Sequence, residues 1–513
     1  MIEHEEPIDR APPERLAAAT GSALWWRAAQ LVGVRVISLV KFLVLARILA
    51  PEDFGILAIA AVAVDLLVLL TDFGMVPALV QRRNPERRHY DAAWTVNLTR
   101  SLFIAVGIVI SAPLLSALFG EPRATEVLQL LGLRPVLDAT GSIRVADLMR
   151  TLQFRSLSAV RLSGAVADAT LAIALAPTLG VWAVVIGALT GAAVGSAVSY
   201  LVAPYRPRLS LNTHAARSLF RFGRWMLVAG LLGVAGDALL RGMIARRLGA
   251  VDLGVYYVAV RIAILPYEVV SEIVAAVAFP VQALLQDDRP RAARVFRSSL
   301  KAPLALLIPI YATLVALAEP IVVHVLGARW EGAAPVIRVT AVIGIIGTLY
   351  DSTTAMLQGL GRPQWVAALA GVYLPIVAGL AWWFTGALGI TGAALARLAA
   401  ESAVQITAGV LSTRLLPHPF AGIFRSLAAF LAAAAAAAVS ALLVYGAIGG
   451  GVGVAAGGVS GMTIGAVVLF VLDRRLALGL RVDAAKAFPG LMARLRLAPA
   501  PAGGDGVGEG RTG

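Results

Sequence analysis

Ten residues, Ala46-Arg-Ile-Leu-Ala-Pro-Glu-Asp-Phe-Gly55, recur 199 positions later as Ala245-Arg-Arg-Leu-Gly-Ala-Val-Asp-Leu-Gly254. Both copies follow the pattern A-R-x-L-x-x-x-D-x-G, and the same offset places Trp26 on Trp225. Weak internal similarity of this kind is typical of membrane transporters built from repeated units. We therefore predict that the chain is duplicated, with this motif in the loop between the first and second helix of each half.

The sequence on both sides of the two motifs is strongly apolar. Of the 513 residues, 59% are hydrophobic and 14% are charged, whereas a soluble domain is about 45–50% apolar and about 25% charged. Apolar stretches long enough to span a bilayer recur from Leu24 to Leu472. This composition excludes a soluble enzyme and predicts a single all-α, polytopic membrane protein.

We predict about fourteen transmembrane helices, each able to cross a hydrocarbon core of roughly 30 Å. The predicted spans are 24–49, 54–80, 92–118, 125–146, 157–178, 181–202, 219–248, 254–285, 302–318, 333–357, 364–385, 390–411, 424–445 and 452–472. Because the repeat offset covers six helices, both halves start on the same side of the membrane. This predicts two six-helix lobes around a central cavity, with two additional C-terminal helices.

The predicted domain organisation follows the same boundaries. The segments are an N-terminal tail (1–23), an N-lobe (24–202), an inter-lobe linker (203–218), a C-lobe (219–411), helices 13 and 14 (412–472) and a partly disordered C-terminal tail (473–513). The even-numbered loops carry most of the loop arginines, and the odd-numbered loops carry only Arg47, Arg123, Arg246, Arg247 and Arg329. Since cytosolic loops are enriched in Lys and Arg, both termini are predicted to be cytosolic in a bacterial inner membrane.

The predicted first helix carries the charges Arg27, Arg35 and Lys41, which fall within an arc of about 120° and form one basic stripe. An ionisable side chain at a helix centre costs about 2.5–3.5 kcal/mol, so it usually faces a cavity or a partner. We expect Arg35 to line the cavity, whereas Arg27 and Lys41 could instead extend to the membrane surface. If the first two helices fold back about Pro51, Asp65 lies near Arg35. Such a pair would be either structural or opened during transport.

The second half contains a comparable group. Asp237 and Arg241 are spaced i,i+4, and folding about Ala250 brings Arg261 opposite residue 239. An Asp237–Arg241–Arg261 cluster would have one positive charge in excess, which suits a diphosphate, although the pair alone also suits mutual neutralisation.

Six further carboxylates are candidates for a coupling ion or for structural pairs. Glu268 and Glu272 share one face of the eighth helix, where they could bind a proton or a sodium ion or receive loop arginines, and Asp351 has no partner in its own helix. Arg397 and Glu401, spaced i,i+4, are more typical of a helix-stabilising pair, as are Arg134/Asp138 and, at i,i+7, Arg161/Asp168.

No metal, catalytic or cofactor site is predicted. The five histidines are isolated from one another, the chain has no cysteine, and it lacks a P-loop. The net charge of +14 is explained by the cytosolic loops rather than by a nucleic-acid partner.

The stretch Arg47-Ile-Leu-Ala-Pro-Glu-Asp-Phe-Gly55, followed by Asp72-Phe-Gly-Met-Val-Pro-Ala-Leu-Val-Gln-Arg82, resembles the opening of Wzx-like polysaccharide flippases, a branch of the multidrug/oligosaccharidyl-lipid/polysaccharide exporter superfamily. The resemblance implies two six-helix lobes, often with two extra helices. It also implies transport of an undecaprenyl-diphosphate-linked oligosaccharide from the cytosolic to the periplasmic leaflet, with the bilayer, a polysaccharide polymerase and an export complex as expected partners.

Two other members of that superfamily remain as alternatives, a lipid II flippase and a cation-coupled multidrug exporter. A drug exporter would need a deep, unpaired carboxylate in the first helix, where this chain carries basic residues instead. A glycan polymerase is disfavoured because no loop exceeds roughly 20 residues, too few for a catalytic domain. The sequence therefore favours a non-enzymatic flippase.

Overall fold

The computed structural model describes residues 13–71, 86–151, 153–209, 214–285 and 288–476, and all secondary structure within these ranges is helical. In the first half the helices are α1 (Pro13–Ile48), α2 (Pro51–Thr71), α3 (Arg87–Phe119), α4 (Ala124–Leu131), α5 (Arg134–Ala139), α6 (Val145–Arg150), α7 (Phe154–Leu179) and α8 (Val181–Val202). In the second half they are α9 (His214–Leu248), α10 (Ala250–Leu284), α11 (Arg289–Ala316), α12 (Ala333–Gly359), α13 (Pro363–Leu415), α14 (Ile423–Ile448) and α15 (Gly450–Leu476).

The predicted all-α membrane fold is confirmed. Within the described ranges, ten helices are long and apolar enough to cross a membrane. One of these, α13, reverses at Gly389 (φ 60°, ψ −143°) and contains two of the predicted spans. The helix α1 covers residues 24–48 of the first predicted span, although it begins at Pro13, well before the predicted start at Leu24. The helix α2 covers residues 54–71 of the second predicted span, and residues 72–80 of that span lie outside the described residues. Of the predicted tails, 1–23 and 473–513, residues 1–12 and 477–513 lie outside the described residues.

The predicted fourth span, 125–146, is wrong as a continuous helix. Three short helices, α4, α5 and α6, take its place, with Pro135 in the first turn of α5. Non-helical backbone is tolerated at membrane depth only where other groups satisfy its hydrogen bonds. Here α8 provides these groups through Ser196 Oγ, which donates to Leu137 O (2.6 Å), Tyr200 OH, which donates to Thr140 O (2.7 Å), and Ser199 Oγ, which accepts from Ser142 N (2.7 Å).

Small residues allow close helix packing within each half. An added Cβ on Gly164 of α7 would lie 2.8 Å from Gly191 O, and one on Gly187 of α8 would lie 2.7 Å from Asp168 O. The C-terminal hairpin behaves similarly, since a Cβ on Gly457 of α15 would lie 2.7 Å from Ala441 O of α14. Small residues at such contacts are the usual means of helix association in lipid, where apolar side chains gain little by leaving the hydrocarbon.

The two halves meet mainly where α2 packs against α9 and α10. One continuous apolar core crosses this contact and includes Phe54 and Ile59 from the first half and Leu253, Tyr256 and Trp330 from the second. By contrast, α1 does not pack along α10 within the described residues. The halves are therefore joined on one side of the interface and leave a space on the other.

Candidate functional site

The two copies of the repeated motif face each other in a symmetric contact. A Cβ added to Gly55 would lie 2.1 Å from Ala250 O, and one added to Gly254 would lie 1.8 Å from Pro51 O. Ala250 is the repeat equivalent of Pro51, and Gly254 is the repeat equivalent of Gly55, so the two contacts are equivalent. A pseudo-twofold axis requires this arrangement. The close approach of these two helix starts closes one end of the inter-lobe space, which we call the sealed end.

Side chains from both halves reinforce the sealed end by capping each other's helix carbonyls. Trp330 Nε1 donates to Ala46 O (2.9 Å) and Arg329 Nη1 donates to Leu49 O (3.1 Å), both at the C-terminal end of α1. In return, Arg47 donates through Nε to Val325 O (2.6 Å) and through Nη2 to the carbonyl of residue 324, at the end of the π-helix Ile321–Leu326. Helix C-terminal carbonyls are otherwise unpaired, so these contacts stabilise the closed arrangement.

Farther from the sealed end, Arg35 of α1 reaches across the space between the halves to α10. Its Nη1 lies 2.6 Å from Glu268 Oε2, and its Nη2 lies 3.7 Å from Glu272 Oε2. The other oxygen of Glu268, Oε1, lies 2.8 Å from Arg261 Nη1. We call these four side chains the inter-lobe cluster. The expected partner of Arg35, Asp65, has a side chain outside the described residues, and the partners that the structure gives to Arg35 come from the opposite lobe.

The predicted Asp237–Arg241–Arg261 cluster is wrong in its third member. Asp237 Oδ2 lies 3.2 Å from Arg241 Nη2, as expected, but its other oxygen faces Arg397 Nη1 at 3.6 Å. Arg397 Nε in turn lies 2.8 Å from Glu401 Oε1, which confirms that i,i+4 pair. Arg397 therefore joins two carboxylates of its own lobe, and Arg261 is instead drawn to Glu268, two turns along its helix. We call Asp237, Arg241, Arg397 and Glu401 the C-lobe network.

The C-lobe network borders a cavity of about 320 Å³ between α9, α10, α12 and α13. Three tyrosines line this cavity, Tyr267, Tyr350 and Tyr373, together with aliphatic side chains. Its charged groups are already paired with one another, so the cavity offers aromatic and apolar surface rather than an open ionic site.

Lys41, the last cation of the basic stripe, is engaged within the N-lobe. Its Nζ lies 2.7 Å from Asp168 Oδ2 of α7, and both side chains are less than one-fifth exposed. Sequence spacing had associated Asp168 with Arg161 of the same helix. The pairing with Lys41 depends on the packing of α1 against α7, which periodicity alone does not specify.

Asp351 of α12 has a different environment from the other intramembrane carboxylates. It accepts a hydrogen bond from Ser271 Oγ of α10, and Tyr267 lies one turn before Ser271 on the same helix. Hydroxyls can donate to a carboxylate and accept from a carboxylic acid, so this environment satisfies both protonation states.

The remaining predicted site residue, Arg27, lies on α1, but its side chain is outside the described residues. No group of three or more His, Asp or Glu in the described part of the chain could hold a metal ion.

The sequence itself matches a known family. The model of the polysaccharide biosynthesis protein family aligns with residues 44–335, more than half of the chain. The protein belongs to this family. The matched region begins at the first repeat motif and extends through the sealed end to the start of α12.

Two curated relatives are consistent with this membership. The chain is 29% identical over 338 residues to the succinoglycan biosynthesis transport protein ExoT of Rhizobium meliloti, which covers 66% of this chain and 68% of that protein. It is 25% identical over 353 residues to the lipopolysaccharide biosynthesis protein WzxC of Escherichia coli, which covers 68% and 71%.

Solved structures share the fold at low sequence identity. The lipid II flippase MurJ in an inward closed conformation superimposes with a TM-score of 0.67 at 14% identity, covering 91% of this chain and all of that one. An inward-facing multidrug resistance transporter of the MATE family gives a TM-score of 0.59 at 16% identity and covers 74% and 94%. The chain is therefore a multi-pass membrane protein with the two-lobed architecture of these transporters.

Proposed function

We propose that the protein is a flippase that moves undecaprenyl-diphosphate-linked oligosaccharide units from the cytosolic to the periplasmic leaflet of the inner membrane. The observation that carries this proposal is the meeting of Arg35 and Arg261, from different lobes, in the space between them. Two guanidinium groups at one point suit a diphosphate, which arginine binds through paired hydrogen bonds. The names of the relatives ExoT and WzxC, which point to succinoglycan transport and lipopolysaccharide biosynthesis, support the same substrate class.

Alternating exposure of the inter-lobe space is the mechanism that fits this architecture. In our proposal the sealed end faces the periplasm and both termini are cytosolic, in agreement with the arginine-rich even-numbered loops. The diphosphate would enter while the sealed end is closed and leave after the Gly55 and Gly254 contacts separate. Such rocking of two lobes about a fixed site is common among repeat-built transporters. A polymerase and an export complex would then act on the delivered units.

The test is a flipping assay with the purified protein in vesicles. The substrate is an undecaprenyl-diphosphate oligosaccharide, and transport is measured as the fraction of glycan that a membrane-impermeant glycosidase can digest. We expect transport by the wild type and by Arg247→Ala, whose guanidinium stacks on Trp382 at 3.7 Å, away from the inter-lobe cluster. Transport of lipid II or of a cationic dye, without transport of the oligosaccharide, would overturn the proposal in favour of the corresponding alternative.

We further propose that Asp351 couples transport to a proton gradient. Glu268 and Glu272 are engaged by arginine, whereas Asp351 is hydrogen bonded to the Ser271 hydroxyl, which can donate to a carboxylate and accept from a carboxylic acid. Asp351→Asn should therefore remove the response of flipping to an imposed pH gradient. Flipping of the oligosaccharide down its own concentration gradient should remain measurable. A response only to a sodium gradient, or an unchanged response in Asp351→Asn, would contradict this assignment.

A further inference from the structure

Glu268 lies between two arginines. Its Oε2 lies 2.6 Å from Arg35 Nη1 and its Oε1 lies 2.8 Å from Arg261 Nη1, so each oxygen serves a different guanidinium. A diphosphate spanning the same two arginines would present oxygens to the same nitrogen atoms. The carboxylate therefore occupies the position that the proposed substrate needs.

The inter-lobe cluster is more accessible than the Lys41–Asp168 pair inside the N-lobe. The side chains of Arg35, Glu268 and Arg261 are 34%, 26% and 40% exposed. The side chains of the Lys41–Asp168 pair are 19% and 18% exposed. Arg35 lies roughly 20 Å along α1 from its end at Ile48, at a depth where exposure of charge to lipid is costly. These side chains therefore face the space between the lobes, where a ligand can reach them.

The charge of the cluster sets a condition for binding. Arg35 and Arg261 are balanced by Glu268 and Glu272, so the four side chains together carry no net charge. An anion that enters this neutral group competes with a carboxylate that is already hydrogen bonded to both arginines. If Glu268 rotates away, its exposed side chain can be solvated and two guanidinium groups are left for the ligand.

We propose that Glu268 is an internal substitute for the substrate's diphosphate, displaced when the lipid-linked glycan binds and returning to Arg35 and Arg261 when it leaves. This inference rests on the proposed function and assigns Glu268 a role in limiting affinity. A transporter must release what it binds, and a tethered competitor keeps a strong arginine–diphosphate contact reversible. Glu272, which contacts Arg35 only at 3.7 Å, plays a smaller part.

The experiment measures binding of undecaprenyl diphosphate, without a glycan, to the full-length detergent-solubilised protein. Glu268→Gln removes the competing charge but keeps the shape of the side chain. It should bind the probe at least about tenfold more tightly than the wild type, because hydrogen bonds to charged groups contribute strongly to binding free energy. Glu272→Gln is the matched control on the same helix face and should change affinity less. Glu268→Asp keeps the charge on a shorter side chain that cannot reach both arginines. Its affinity for the probe should lie between those of the wild type and Glu268→Gln.

Transport and binding should move in opposite directions in Glu268→Gln. With its competitor removed, the variant should flip the oligosaccharide more slowly than the wild type because release becomes limiting. Binding by the wild type together with unchanged or weaker binding by Glu268→Gln, at an unchanged melting temperature, would overturn the inference and leave the proposed function intact. If the wild type binds neither this probe nor the complete lipid-linked oligosaccharide, the proposed function itself fails.

Discussion

The inter-lobe cluster and the C-lobe network use the same chemistry with opposite polarity. In the inter-lobe cluster an anion, Glu268, lies between two cations, one of them from the other lobe. In the C-lobe network a cation, Arg397, lies between two anions of its own lobe, Asp237 and Glu401. The side chain of Arg397 is only 17% exposed, whereas that of Arg35 is 34% exposed.

This difference separates a structural network from an exchangeable site. All four side chains of the C-lobe network come from helices of one lobe. The network has one contact with the other lobe, from Arg241 to the Ala58 carbonyl of α2 (3.4 Å). Relative motion of the lobes therefore leaves Arg397 between its carboxylates. The same motion separates Arg35 from Glu268. The first arrangement stabilises a lobe, and the second can respond to a ligand.

The largest effect that would test this comparison is expected from Arg397→Ala. Removal of the guanidinium leaves Asp237 and Glu401 with carboxylates that have lost a buried partner, which costs about 3–5 kcal/mol of stability. Thermal unfolding in detergent should show a large drop in melting temperature. The double variant Arg397→Met/Glu401→Leu leaves Asp237 with Arg241 and should regain most of this loss. A fully stable Arg397→Ala with impaired transport would make the network functional instead.

Arg35→Ala should act on transport rather than on stability. It removes the cation that meets the diphosphate in our proposal, and loss of a charged contact of about 3 kcal/mol corresponds to about a 100-fold lower flipping rate. The melting temperature should change little because the side chain is partly solvated. Arg35→Lys keeps the charge but not the two-point geometry, so an intermediate rate is expected. Wild-type flipping by Arg35→Ala would remove Arg35 from the site.

Gly254→Ala tests whether the lobes must touch at the sealed end. The added Cβ would lie 1.8 Å from Pro51 O, so α2 and α10 must separate, at a cost of about 1–3 kcal/mol to the closed state. The chain has no cysteine, so labelling of a Leu49→Cys background by a membrane-impermeant maleimide reports this opening. Labelling should rise in Gly254→Ala but not in Gly458→Ala, where the added Cβ meets no atom within 4 Å.

Trp330→Phe should give the smallest effect. The substitution keeps a ring against Phe54, which the indole meets edge-on at 5.4 Å, but it removes the hydrogen bond to Ala46 O. The loss of about 1 kcal/mol from the closed state should raise maleimide labelling of the Leu49→Cys background slightly. Trp383→Phe, at a side chain that is 69% exposed, is the control. Equal labelling in both variants would show that this hydrogen bond does not hold the lobes together.

Much of the fold could be predicted because it depends on local properties of the chain. Hydropathy located the spans, and glycine at the reversal in α13 agreed with the predicted break between two of them. The exception is 125–146, where Pro135 and interspersed charges break the helix and hydroxyls of α8 satisfy the exposed backbone. The mean hydropathy of this stretch suggests a transmembrane span. It does not show whether neighbouring helices can hydrogen bond to the backbone groups of a broken helix.

The site was predicted less completely, for a geometric reason. Arg35, Arg261 and Glu268 were all identified as candidates. However, Arg35 and Arg261 were assigned partners from their own half of the chain, and Glu268 was assigned a coupling ion or loop arginines. Long side chains reach across a helix interface, so the partner depends on helix rotation and on the distance between lobes. The i,i+4 signal of Arg397 and Glu401 was visible, but only the packing of α9 against α13 adds Asp237 to that pair.

The sequence by itself determined that this chain is a duplicated, all-helical membrane protein with cations deep in its first helix. These properties follow from composition, helical periodicity and an internal repeat. All three can be recognised along the chain without knowing which distant segments are in contact. Only the tertiary structure decided that Gly55 and Gly254 close one end together and that Glu268, rather than a residue of α1 or α2, lies between Arg35 and Arg261. Ion pairing across two lobes depends on how the lobes pack, and that packing depends on close contacts at small residues and on hydrogen bonds between the halves.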